Sequence, residues 1–215
     1  MNSRQRFLET MSFGSPDRVP LFGEGIRADV FKVWGQTGLK NETQLQERFA
    51  YDRREEIYLN LDPHPALNKF PTQFSELDSL RASLDPNDAI RLPSNWDQRV
   101  QGLKDRDYPL MMRVHEGFYL AMGVAGWQRF NELMELCTDA PDFVSEYMAI
   151  YSQFAAQVTD RLLQDVSVDA IVFSEPIGGN DGPLISPMMH EAFVAAHYAP
   201  IMDVIAKHRI ETAIL

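Results

Sequence analysis

Apolar residues recur at intervals of three and four along 142–166, where Phe143, Tyr147, Ile150, Tyr151, Phe154, Val158 and Leu162 form one stripe. That spacing predicts a long helix laid against a core, capped by Asp139–Ala–Pro141. Just after it, Ala170 to Phe173 is apolar without alternation and too short for a helix, the pattern of a strand buried on both faces, 169–174. The chain then turns polar over Glu175, Pro176, Gly178, Gly179, Asn180, Asp181, Gly182 and Pro183, where regular structure cannot persist. Ser186 and Pro187 restart it as a helix over 187–208, with Ser186 as N-cap and Pro187 in the first helical position. Pro200 is expected to kink that helix by deleting a backbone bond. Strand, polar loop and helix make half of a βαβ unit, and in such folds chemistry collects beyond the carboxyl end of the strand.

The same reading extends upstream. Residues 3–13 predict a short amphipathic helix, stopped by Gly14 and Pro16. Arg18 to Phe22 predicts a strand followed by the polar turn Gly23–Glu24–Gly25. Residues 26–60 read as mixed helices, with Arg27, Val30, Phe31 and Trp34 at helical spacing. The stretch 61–107 is punctuated by prolines and reads as an irregular excursion or cap, with a helix near 75–84 and a further candidate strand at 88–92. Tyr108 to His115 predicts a strand turned by Glu116–Gly117, and helical spacing then runs from Trp127 to Thr138. The segment 211–215 looks like the start of another strand. Alternating strands and helices indicate an α/β fold with a parallel sheet covered by helices, and both a doubly wound sheet and a (β/α) barrel fit that grammar.

Composition narrows the function classes. With 45 % hydrophobic and 24 % charged residues in 215, the chain is ordinary globular protein. A formal net charge of −11 argues against nucleic-acid backbones as partners, which require basic patches. No apolar run approaches the ~18 residues of a membrane span, and the first residues lack a signal-peptide core, so a cytoplasmic location is expected. Cys137 is the single cysteine, which excludes an internal disulfide and any multi-thiolate metal centre within the chain. Its neighbours Leu133, Met134 and Leu136 predict a buried, inert thiol.

Several residues stand where chemistry would be expected. Glu175 follows the 169–174 strand in a glycine-filled loop. Asn180 and Asp181 could bind substrate or simply form a turn. His115 and Glu116 close the 108–115 strand, where a histidine could move protons. Glu24 and Arg27 follow the candidate 18–22 strand. His190 and His197 lie seven residues apart, wider than helical zinc pairs, so no metal role is expected of them. Met111, Met112, Met188 and Met189 read as core filler.

Taken in order, Arg4–Gln–Arg–Phe–Leu8, Pro16–Asp–Arg–Val–Pro20, Gly117–Phe–Tyr–Leu–Ala–Met–Gly–Val–Ala–Gly126 and Phe173–Ser–Glu–Pro–Ile–Gly–Gly–Asn–Asp–Gly–Pro–Leu–Ile–Ser–Pro187, with Phe193 and Pro200 beyond, resemble the uroporphyrinogen decarboxylase superfamily. The resemblance implies a (β/α)8 TIM-type barrel with its active site at the carboxyl ends of the strands. It embraces cofactor-free porphyrinogen decarboxylases and zinc-dependent methyltransferases that move a methyl group between a corrinoid protein and a thiol such as coenzyme M. The decarboxylases carry an arginine-rich segment after their first strand; here that text is Gly23–Glu–Gly–Ile–Arg–Ala28, so Glu24 meets an acidic tetrapyrrole where a guanidinium is wanted.

The resemblance therefore implies a methyltransferase-like enzyme, with the porphyrinogen decarboxylase as alternative. Glu175 and His115 are expected to be catalytic, and Glu24, Arg27, Glu116, Asn180 and Asp181 to contact substrate. No metal or cofactor is expected within this chain, and zinc only if later sequence supplies its ligands. Expected partners are a small-molecule substrate and, for methyl transfer, a corrinoid protein; a homodimer is admitted. Residues 1–215 read as one barrel domain. The candidate strands are fewer than the eight of a closed barrel, so the chain is expected to be an N-terminal part of one. A third alternative is a non-catalytic barrel fragment associating through its open edge.

Overall fold

The computed structural model describes residues 1–23 and 25–215. It is a mixed α/β structure, about half helical. Four parallel strands form one sheet: β1 (Glu55–Tyr58), β2 (Leu110–His115), β3 (Ala170–Phe173) and β6 (Ala213–Ile214), neighbouring one another in that order. β4 (Gly178–Gly179) and β5 (Gly182–Pro183) form a separate two-residue hairpin. The helices are α1 (Ser3–Met11), α2 (Ala28–Trp34), α3 (Glu42–Phe49), α4 (Leu77–Ser83), α5 (Trp96–Leu103), α6 (Phe118–Ala121), α7 (Trp127–Asp139), α8 (Pro141–Leu163), α9 (Pro187–Phe193) and α10 (Ala199–Lys207).

The two sheet faces differ as strand alternation requires. Ile57, Leu110, Met112, Val114, Ile171 and Phe173 point into the main core, where Phe143, Tyr147, Tyr151, Phe154 and Leu162 of α8 meet them. Fully burying each such side chain is worth about 1.5–3 kcal/mol. Met111, Ala170, Val172 and Ile214 lie on the other face, packed with Phe7 of α1 and Phe22. Glu56, Tyr58 and Arg113 share that second face. Tyr58 pairs with Arg113 in register, and Glu56 binds the Arg113 guanidinium at 2.7 Å.

The amino ends of the strands are tied by ion pairs. Asp169, just before β3, accepts from the Leu110 N–H, from Arg106 and from Arg4, each at 2.9 Å. Asp52, just before β1, binds Arg6 and accepts from Arg18 at 2.7 Å and the Leu21 N–H at 2.9 Å. Burial alone would push the Asp52 carboxyl up, but the Leu21 N–H and the guanidinia of Arg18 and Arg6 hold it below the usual range. These bonds fasten α1 beneath the sheet.

Strands 108–115 and 169–174, the long helix, the helix near 75–84 and the terminal strand appear as the hydrophobic pattern predicts. Three expectations are corrected. Residues 18–22 form no strand; they pass close to the start of β1, joined by the Asp52 N–H to Leu21 carbonyl bond at 2.8 Å. The first strand is instead Glu55–Tyr58, inside the region read as helical. Only Ile57 enters the main core there; Glu55 is satisfied by Arg99 and Tyr108, and Glu56 by Arg113. The candidate strand at 88–92 is a 3-10 turn, Ala89–Arg91, and α5 was hidden in the same proline-rich stretch. Finally, the 187–208 helix is broken rather than kinked: Pro200 sits in the first turn of α10, a position that costs no backbone bond.

The excursion between β1 and β2 is held by Arg91. Its side chain is fully buried and donates to the carbonyls of Asp62 at 2.5 Å, Ser83 at 3.0 Å, Asp85 at 3.1 Å and Asn60 at 3.2 Å. A buried cation survives because carbonyl dipoles replace its water. The consequence is that Asp62 is fixed just past the carboxyl end of β1.

Candidate functional site

The carboxyl ends of the three longer strands converge on a small group of polar residues: Asp62 after β1, Arg113, His115 and Glu116 at β2, and Glu175 after β3. Local backbone decides which way each points. Between Arg113 and His115 the β2–β3 register slips, so that two residues of β2 advance against one of β3. A bulge of this kind re-aims a side chain. Here it swings His115 to the helix-covered face, where it is fully buried against Tyr151, Phe173 and Tyr198. The Gly117 N–H donates to its Nδ1 at 2.9 Å, which leaves the proton on Nε2. Burial, aided by His197, lowers the His115 pKa from 6.5 to about 4, so the ring is neutral at pH 7. His115 thus lies on the helix-covered side of the sheet, with its Nδ1 engaged by the backbone of the β2 turn.

Glu175 is also committed to structure. Its Oε1 accepts from the Phe118 N–H and its Oε2 from the Tyr198 hydroxyl, both at 2.8 Å. One carboxylate thus joins the β3 loop, the first turn of α6 and the segment between α9 and α10. Burial raises its pKa, while the Phe118 N–H, the Tyr198 hydroxyl and the charge of His190 pull it back down. Gly117, between the two clamped groups, has φ +97°. A Cβ there would lie 2.6 Å from the Ser174 carbonyl and 3.2 Å from Glu175 Oε1, so only glycine lets the two loops approach this closely.

Glu116 occupies the position between His115 and Gly117 and is half-buried. Burial raises its pKa first, the Asp62 carboxylate raises it further, and Arg113 opposes both. The hydroxyls of Tyr151 and Tyr119 and Nε2 of His115 are buried without a hydrogen-bond partner among the described residues, as is Nε of Arg106 at the opposite end of the strands. Tyr151 is pushed well above 10, first by burial and then by Glu116. On the second face the Arg113 guanidinium lies 5.1 Å from the Tyr58 ring. A cleft of about 910 Å³ opens beside the end of β1, lined by Tyr58, Asn60, Arg91, Pro93, Asn95 and Trp96. Its size suits a small-molecule ligand.

The other sequence candidates fall elsewhere. Arg27 is exposed at the start of α2 and pairs with Asp29 at 2.6 Å; it follows no strand, which removes it from the strand ends. Glu24 lies outside the described residues. Asn180 and Asp181 form the exposed turn of the β4–β5 hairpin. His197 meets Ser145 at 3.3 Å on the outer helical layer. Cys137 is buried, and burial pushes its thiol up to about 12.

Asp62, Glu56, Tyr58 and Arg113 are the residues the sequence did not bring forward as a group. All but Asp62 depend on recognising β1 or its pairing with β2, and Asp62 on Arg91, which anchors its carbonyl from 29 positions away. No family model matches the chain, and no curated protein matches it.

Proposed function

We propose that this chain belongs to an enzyme of the uroporphyrinogen decarboxylase superfamily type, with a (β/α)8-type barrel architecture and a site at the carboxyl ends of its strands. The observation carrying this reading is the strand order. Four parallel strands lie side by side in unbroken chain order, joined through helical connections, with the main helical layer on one face. A doubly wound sheet reverses its order at a switch point; a barrel does not.

The reaction we assign is group transfer to or from a small molecule, closest to the methyl-transfer branch, with a corrinoid protein as methyl donor and a cytoplasmic location. The porphyrinogen reading loses support because Arg27, the cation nearest the expected substrate-gripping segment, faces Asp29 in solvent. Zinc activates the thiol acceptor in that branch. This chain's own residues do not fit such a centre: its one thiol stays protonated in the core, and no cluster of three or more potential ligands occurs among the described residues. Within this chain, Glu175 and His115 orient the strand ends, Tyr58 lines the cleft beside β1, and Arg113 lies beside the Tyr58 ring with Glu116 at the tip of the same strand.

Incubation of the purified protein with methylcobalamin and coenzyme M, followed by absorbance, should show protein-dependent loss of the methylated corrinoid. A parallel incubation with uroporphyrinogen should yield no coproporphyrinogen. Absence of methyl transfer together with formation of coproporphyrinogen would overturn the assignment.

A further inference from the structure

We propose that Glu116 is the proton-transferring carboxyl of this site, and that His115 and Glu175 are positioning residues that aim it through the backbone of the β2 turn. The inference rests on reading the strand ends as a group-transfer site. It reverses the roles expected from sequence, where Glu175 and His115 were the catalytic pair.

Three observations carry it. First, the two residues following Glu116 are each held by one of the supposed catalytic groups: the Gly117 N–H donates to His115 Nδ1 and the Phe118 N–H to Glu175 Oε1. With both its oxygens hydrogen-bonded, Glu175 has little freedom to exchange a proton with a ligand. Second, Glu116 itself makes no hydrogen bond or ion pair among the described residues, although it is half-buried at a strand tip. A carboxyl left unpaired at a site its neighbours fix so firmly is placed for an incoming group. Third, the groups around it shift its carboxyl toward holding a proton more readily than a free glutamate does. Asp62 from the end of β1 disfavours its charge, Arg113 from β2 favours it, and Tyr151 from α8 presents a buried, unpartnered hydroxyl whose ionisation Glu116 opposes. A general base works best when its pKa lies near the working pH.

In the transfer, the acceptor thiol forms its new bond to the methyl carbon as the bond from that carbon to the donor breaks, the electron pair staying with the donor. The proton shed by the thiol passes to the Glu116 carboxylate, and the resulting carboxylic acid returns it to water.

The test has a substrate-free arm and a kinetic arm. Dicyclohexylcarbodiimide, which reacts with protonated carboxyls in apolar settings, should modify Glu116 in the native protein at pH 7 in preference to Glu175. Asp62→Asn should reduce that modification several-fold, read by peptide mass spectrometry. Labelling of Glu175 with Glu116 untouched would overturn the proposal, whatever the reaction proves to be. In the methylcobalamin–thiol assay, Glu116→Gln should lower kcat about 100-fold or more with KM little changed. Glu175→Ala should also lower kcat, and Glu175→Gln, which can keep both hydrogen bonds, should restore most of it. An active Glu116→Gln beside an inactive Glu175→Gln would contradict the assignment. Labelling at Glu116 without methyl transfer in the wild-type protein would leave the site standing and remove the reaction.

Discussion

The two ends of the central sheet are built from the same residue types to opposite effect. At the amino ends, Asp52 and Asp169 each collect several donors, and their charges are matched by Arg4, Arg6, Arg18 and Arg106. At the carboxyl ends, Glu116 and Glu175 are half-buried with their pKa values raised by burial, and three of the four buried side-chain atoms without a partner among the described residues lie there, the fourth being Arg106 Nε at the amino ends. Charge-matched carboxylates fix a fold, whereas a half-buried carboxyl whose charged form is disfavoured is the kind of group a ligand can engage. The contrast matches the general division of parallel α/β folds, with stability at one end of the strands and chemistry at the other.

The largest effect should come from breaking the amino-end network. Asp169→Ala leaves the Arg106 guanidinium, which is 4 % exposed, without its carboxylate and orphans the Leu110 N–H. A loss of about 3–5 kcal/mol in chemical denaturation is expected. A loss below about 1 kcal/mol would show that this end is not the stabilising one.

A slightly smaller effect separates the ends by pH. The folded-state pKa of His115 is lowered from 6.5 to about 4, so the unfolded chain takes up a proton in that window and the folded chain does not. Its contribution to stability is present above pH 6.5 and falls away as the pH drops toward 4, by about 3 kcal/mol in all. Glu116 and Glu175, with raised values, act in the opposite sense, because their protonation favours the folded state as pH falls. Replacing His115 with Gln should therefore remove the destabilising limb between pH 6.5 and 4 and expose the opposing one. Asp52, held low by its donors, contributes above the ordinary carboxylate range, and that contribution is lost only at more acid pH. Melting curves across pH for the wild-type protein and His115→Gln would show both phases. An unchanged slope would place His115 outside the core.

The smallest effect concerns the latch. Tyr198→Phe removes one hydrogen bond to Glu175, costing about 1 kcal/mol, and raises the Glu175 pKa further because a donor to its charged form is gone. Hydrogen exchange should then quicken at the Phe118 and Ile177 amides with the amino-end amide of Leu110 unaffected.

Much of this layout could be read from the chain, and the failures have physical causes. β2, β3 and α8 announce themselves because their core-facing residues are apolar at the right period. β1 does not, because Glu55 and Glu56 meet Arg99, Tyr108 and Arg113 only in the folded sheet. The position of Glu175 at a strand tip was legible, but its partners lie 57 and 23 residues away and leave no local trace. Alternation alone would place His115 on the second face, and the bulge that turns it to the helix-covered one has no sequence signature in this strand.

The contrast between the ends is tested most directly by residue-resolved carboxyl titration, using NMR on protein labelled with 13C at the side-chain carboxyls of Asp and Glu. The account predicts Asp52 titrating below the usual carboxylate range and Glu116 and Glu175 above it. Ordinary titration of Glu116 and Glu175, indistinguishable from that of exposed glutamates, would contradict it.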